Sequence, residues 1–117
     1  MLTYVASPYT HEDPKVMQSR YEAVMQYVAD MMQEDERVRI SSIIHHHPMA
    51  VAHVLPRSAE FWQRSNRVLL KACSHMEILC LDGWEESEGI KLELLWAREF
   101  EVPYYYVMQA LDVRAPL

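Results

Sequence analysis

The sequence predicts an α/β fold, a three-layer sandwich whose short parallel sheet of about four strands, in the order 2-1-3-4, is covered by helices on both faces. Three observations carry the prediction. Short apolar runs alternate along the chain with longer segments in which apolar residues recur at intervals of three and four. The segments between strands are long enough for right-handed crossovers, which join parallel rather than antiparallel neighbours. Finally, 117 residues with 50% hydrophobic content suit one domain with one real core.

Leu2 to Ala6 is the first strand, and it stops at Ser7-Pro8-Tyr9 because Pro8 lacks a backbone donor. Pro14 opens a helix to about Gln33, with Met17, Tyr21, Val24, Met25, Val28, Met31 and Met32 on its apolar face. The methionines of that stripe read as core or subunit interface. Val38 to Ile44, rich in β-branched residues, reads as the second strand, and Pro48 opens a short helix through Val54. Ser58 caps a further helix, Glu60 suits its first turn, and Phe61, Ser65, Val68, Leu69 and Ala72 form the expected buried face. Met76 to Leu81 is the third strand, Ser87 to Phe100 the last helix and Val102 to Val107 the fourth strand, entered through Pro103. The arrangement is flavodoxin-like or Rossmann-like, with a domain over residues 1–108 and a tail over 109–117, loose or docked on a partner subunit.

Eleven Lys and Arg against seventeen Asp and Glu leave a formal charge of -6, which argues against nucleic acid as a partner, since affinity for a phosphate backbone rests on cation contacts. Cys73 and Cys80 show no CxxC spacing and sit in apolar surroundings, as buried reduced thiols do. The opening residues lack the pattern of a signal peptide, and no apolar run nears the roughly 18 residues of a membrane span. The expectation is a soluble cytoplasmic protein with no membrane partner.

Glycine is the informative rarity. Both glycines, Gly83 and Gly89, fall between Asp82 and Glu93, where backbone must turn sharply or approach another group. In an open parallel sheet, ligands bind beyond the carboxyl ends of strands where strand order reverses. For the order 2-1-3-4 that point brings the loop Ser7 to Asp13 against the loop Asp82 to Glu88. Glu93 follows Gly89 by one helical turn, and helical side chains lean toward the amino terminus, so its carboxylate is aimed over Gly89 into the crevice. Partial desolvation would raise its pKa somewhat while leaving it mostly ionised, as a nucleophile must be. Spacing alone equally allows an ordinary surface Glu. Ser87 caps the helix, and its hydroxyl with the free amides of Glu88, Gly89 and Ile90 offers an anion or sugar-hydroxyl site. Capping alone is the competing reading, and Glu85, Glu86 and Glu88 would repel a dianion unless Arg20 or another cation compensates.

In an extended chain only His45 and His47 would share a face, and no carboxylate stands at ligand spacing, so no metal site is expected. One histidine, with His45 the candidate, reaches the crevice to contact a ligand or act as an acid; solvated loop histidines are the alternative. Trp84 is placed by its loop to stack on a planar ligand ring, whereas Trp62 and Trp96 read as packing residues. Neither a nucleophile elbow nor a glycine-rich phosphate loop is present.

The motifs Tyr4-Val5-Ala6-Ser7-Pro8-Tyr9, Ser41-Ser42-Ile43-Ile44-His45-His46-His47-Pro48, Phe61-Trp62-Gln63 and Leu81-Asp82-Gly83-Trp84-Glu85-Glu86-Ser87, with Gly89 and Glu93, span most of the chain. Together they resemble the nucleoside 2-deoxyribosyltransferase-like superfamily, especially its small phage and bacterial branch. Ser87-x-Gly89 followed by Glu93 is also similar to deoxynucleoside 5'-monophosphate N-hydrolases. The resemblance implies cleavage of an N-glycosidic bond in a small nucleoside or nucleotide without a cofactor, with Glu93 attacking the anomeric carbon. It further implies that Tyr4 and Tyr9 contact sugar or base, that Ser7 lies near sugar or phosphate, and that Asp82 acts as an acid or holds a ribose hydroxyl. Transferases usually carry Asp where this chain has Ser87, which favours hydrolysis over transfer. Homodimers or higher homo-oligomers are implied in the same way. Asn66 and Ser74 stand where relatives often place Asp, and an amide cannot protonate a leaving group. The alternative is therefore a catalytically weak protein that binds or senses a nucleotide in the same crevice.

Overall fold

The computed structural model describes residues 2–108. Along the chain run β1 (Leu2–Ala6), α1 (Pro14–Glu34), β2 (Val38–Ile40), α2 (Ser42–His53), α3 (Ala59–Lys71), β3 (His75–Cys80), a single 3-10 turn (Trp84–Glu86), α4 (Glu88–Glu99) and β4 (Tyr104–Met108). The four strands form one parallel sheet in the order β2-β1-β3-β4. Tyr4 lies opposite Ile40 on one side and Met76 on the other, and Met76 opposite Tyr104. The expected tail, Gln109 to Leu117, lies outside the described residues.

Strand alternation divides the core in two. Tyr4 and Ala6 of β1 with Met76, Ile78 and Cys80 of β3 pack against Leu70, Cys73, Ile90, Trp96 and Ala97, on the face covered by α3 and α4. Val5 and Leu79 point the other way, onto Val24 and Val28 of α1. On that second face Glu77 is buried at the centre of a charged network. It accepts hydrogen bonds from Arg39 Nε (2.8 Å), the Tyr27 hydroxyl (2.7 Å) and Arg37 Nη1 (3.1 Å), while Asp35 holds the remaining nitrogens of Arg39. Burial alone would raise the Glu77 pKa, but the bonds from Arg39, Tyr27 and Arg37 outweigh it and hold the carboxyl below its ordinary value.

Helix caps follow the sequence closely. Asp13, Ser58 and Ser87 each accept a bond from an amide in the first turn of α1, α3 and α4. Other expectations need correction. The second strand ends at Ile40, because the Ser41 side chain caps a helix by accepting from the Ile44 amide, and that cap overrides the β-branched character of Ile43 and Ile44. Pro48 thus lies inside α2 rather than at its start. On α3 the stripe Phe61, Ser65, Val68 and Ala72 faces solvent, and Leu70 is buried instead. The inward face instead runs through Ala59, Trp62, Gln63, Asn66 and Leu70, also at helical spacing, while Arg67 and Lys71 lie over the Phe100 ring at the end of α4. Met17 of the α1 stripe is buried, whereas Met25 and Met32 are exposed.

Candidate functional site

A cavity of about 650 Å³ opens beyond the carboxyl end of β1, walled by the Ser7–Thr10 loop, α2, the start of α3, the Glu86–Ser87 turn and α4. Its position follows from topology. β1 and β3 are neighbours whose connections leave in opposite directions, to α1 and β2 on one side and to α4 and β4 on the other, so a crevice must open between their exits. Arg20 of α1 ties the exits together. Its guanidinium donates to the carbonyls of Thr10 (3.1 Å) and Tyr9 (3.4 Å) and to that of Asp82 (3.3 Å). Gly83, at φ +88°, lets the chain turn against it, since a Cβ there would come within 2.5 Å of Arg20 Nη2.

Glu93 stands on the cavity wall and is 6% exposed. It belongs to the buried stripe of α4 with Ile90, Trp96 and Ala97, so the packing that buries this helix face carries the carboxyl inward with it. The Tyr4 hydroxyl donates to Glu93 Oε2 and lies 3.2 Å from Ser42 Oγ. Because the single phenolic proton is spent on Glu93, Ser42 supplies the proton of the second bond. Burial pushes the Glu93 pKa up to about 8, with the Tyr4 bond as a smaller opposing effect. Burial here is nearly total rather than partial, so the acid is mainly protonated at neutral pH, contrary to the mostly ionised form expected from sequence. Tyr4 is itself raised well above its ordinary pKa by burial first and by Glu93 second.

Of the other residues singled out from sequence, Ser7, Tyr9, Ser87, Gly89 and Asn66 line the same cavity. Ser7 Oγ and Asn66 Oδ1 are buried without a hydrogen-bond partner, which leaves unused bonding capacity in the wall. Ser87 Oγ caps α4 by accepting from the Ile90 amide at 3.2 Å. Three residues fall elsewhere. Asp82 is exposed and joins the site only through its backbone carbonyl; Trp84 packs into the core and against Tyr106, with ring centroids 5.4 Å apart; His45 is exposed on α2. The helical setting of the three histidines explains the last displacement, because successive residues step about 100° around a helix. That turns His46 and His47, rather than His45, to the cavity.

His47 is fixed on both sides, its Nδ1 2.7 Å from the Tyr9 hydroxyl and its Nε2 2.8 Å from Gln18 Oε1, with Tyr21 stacked on the ring at 4.3 Å. These partners suit the neutral imidazole that donates from Nε2 and accepts at Nδ1. Burial, with Arg57 nearby, lowers its pKa. His46 is pushed down to about 4 by burial and by His45, and its ring stacks on Trp62 at 4.1 Å. Trp62 donates its Nε1–H to the Pro56 carbonyl at 2.8 Å. His46, His47, Gln63, Ser42 and Arg57 are wall residues that sequence reasoning did not assign, and Trp62, read from sequence as a packing residue, lines the cavity as well; the His-rich stretch and the Phe-Trp-Gln motif were the available signals. Among the described residues no group of three or more His, Cys, Asp or Glu is placed to hold a metal ion, and no helix is long and apolar enough to cross a membrane.

The family described as Domain of unknown function (DUF1937) matches residues 1–108, and the chain belongs to it. No curated protein matches the chain.

Proposed function

We propose that this member of the DUF1937 family cleaves the N-glycosidic bond of a small nucleoside or nucleotide, by hydrolysis in preference to transfer, with Glu93 as nucleophile. The observation that carries the reading is a buried carboxyl group, held by the Tyr4 hydroxyl, on the wall of a cavity within the roughly 300–1,000 Å³ range of small-molecule sites. Once ionised, Glu93 attacks C1', the base departs with the electrons of the C–N bond, and water resolves the glycosyl ester. Tyr4 orients the attacking oxygen, while Ser7 Oγ and Asn66 Oδ1 offer unused partners to a sugar or base. The likeness of Tyr4 to Tyr9, Ser87, Gly89 and Glu93 to the deoxyribosyltransferase-like superfamily supports the same chemistry.

The test is incubation with a panel of nucleosides, deoxynucleosides and their 5'-monophosphates, with free base measured by chromatography for the parent and for Glu93→Gln. Release by the parent alone is expected. Equal release by the variant, or none from any substrate by either protein, overturns the assignment. A second reading, binding or sensing without turnover, is favoured by Asn66, whose amide cannot serve as a proton donor to the leaving base in the way a carboxylic acid does. Calorimetric binding of a nucleotide to a parent that releases no base would establish it.

A further inference from the structure

Resting on the reading of this cavity as an N-glycosidic site, we propose that its preferred substrate is a cationic N-glycoside, a nucleoside whose base bears a fixed positive charge, such as a pyridinium riboside or an N7-alkylated purine nucleoside. The first argument concerns the leaving group. A neutral base departs readily only when an acid protonates it, and the amide and imidazole groups of the wall are poorly suited to do so. Asn66 is an amide, both nitrogens of His47 are engaged by Tyr9 and Gln18, and His46 is held neutral by its burial. A cationic base needs no acid, because the electrons of the breaking bond neutralise it.

The second argument is charge. Beside Glu93, the carboxylates of Glu60, Glu86 and Glu88 line the cavity, and among the described lining residues Arg57 is the one opposing Lys or Arg side chain. Such a field attracts cations and repels a phosphate dianion. The acidic rim does not stand alone as a sign of a ligand. Ser7, which lines the cavity, is 5% exposed, and its Oγ has no hydrogen-bond partner. Third, His46 and Trp62 present stacked aromatic rings 4.1 Å apart and 18° from parallel, and an uncharged aromatic face attracts a planar cation.

Chemistry and charge are coupled through Glu93. A cation bound beside a buried carboxyl favours its ionised form, so the substrate itself drives the Glu93 proton into solvent and creates the nucleophile. Glu93 Oε then bonds to C1', the C1'–N bond breaks, and the pair stays on nitrogen as the charge is discharged. Water next bonds to C1', the ester C–O bond breaks to return the carboxylate, and the proton of the water passes to solvent. The sum is substrate cation and water going to free sugar, neutral base and a proton.

The test compares kcat/KM for base release from nicotinamide riboside and from N7-methylguanosine with that from guanosine and deoxyadenosine. An advantage of roughly a hundredfold or more for at least one cation is expected, the scale of the general-acid assistance that neutral bases lack. The two cationic probes decide between a pyridinium and an alkylated purine. Combining Glu60→Gln, Glu86→Gln and Glu88→Gln narrows the advantage, and Glu93→Gln abolishes release. Equal or faster release from the neutral nucleosides overturns this inference and leaves the N-glycosidic reading standing. No release from any of the four compounds overturns both.

Discussion

The Tyr4 hydroxyl, on the central strand β1, donates to Glu93 of α4 across 89 positions of sequence. The pair joins the buried floor of the sheet to the wall of the cavity, and neither residue reaches solvent in appreciable degree. Its chemistry is set by two opposed effects. Burial favours the protonated acid, and the phenol favours the carboxylate.

Tyr4→Phe keeps the ring in the core and removes the donor. A hydrogen bond to a charged group contributes about 1.5–3 kcal/mol, so losing it makes Glu93 harder to ionise. If base release requires ionised Glu93, the rising limb of its pH–rate profile moves upward by about one pH unit or more. The measurement is kcat/KM for parent and variant across pH 6 to 10, roughly. An unmoved limb would separate Tyr4 from the ionisation of Glu93.

Stability should carry the mark of the same group. Glu93 holds its proton in the folded protein up to about pH 8, whereas in the unfolded chain it loses it near the ordinary glutamate value of about 4.3. Between those values the folded state binds more protons, so the Glu93 contribution falls as pH rises, by up to about 1.4 kcal/mol per pH unit. His46, lowered to about 4, acts in the opposite sense between that value and about 6.5. Urea unfolding of parent and Glu93→Gln isolates the Glu93 part. The variant should gain on the parent from pH 5 to 8, approximately, and the difference should level off above.

The two glycines should respond differently to alanine. Gly83→Ala places a Cβ 2.5 Å from Arg20 Nη2 at φ +88°, which strains the turn and disturbs the Arg20 clamp on both loops. A loss of about 1–3 kcal/mol is expected by chemical denaturation. At Gly89 the new Cβ would lie 3.7 Å from Ser87 Oγ and 4.0 Å from Ala59 Cβ, which is ordinary contact. Gly89→Ala should therefore fold at least as well, gaining up to about 1 kcal/mol of helix propensity. Its effect should appear in the KM of any substrate, because the methyl group enters the cavity wall.

Removing Glu77 should be costly. Glu77→Ala strands Arg39, which is 9% exposed and whose other carboxylate partner is Asp35 at the surface. Breaking one side of a buried pair costs about 3–5 kcal/mol. Because the folded-state pKa of Glu77 is depressed, its contribution is present above the unfolded value and is lost as pH falls through the folded one. Thermal melts of the parent should thus weaken toward acid pH, and this component of the acid slope should vanish in the variant.

The sheet order, the Ser58 and Ser87 caps, and the crevice between the β1 and β3 exits were legible in sequence because each depends on local rules: apolar periodicity, a side-chain oxygen at a helix start, and the topology those elements impose. Glu93 and its glycine were visible for the same reason, as a carboxyl within an otherwise apolar helical stripe. What sequence alone could not decide was which of two equally spaced faces of α3 turns inward, since that choice depends on contact with α4 and not on the helix itself. Nor could it show that Ser41 would convert the expected end of a strand into a helix and exchange His45 for His46 and His47 at the cavity. The protonation of Glu93 also belongs to tertiary structure, because desolvation is a property of all the atoms that surround a group, and those atoms come from strands and helices far apart in the chain.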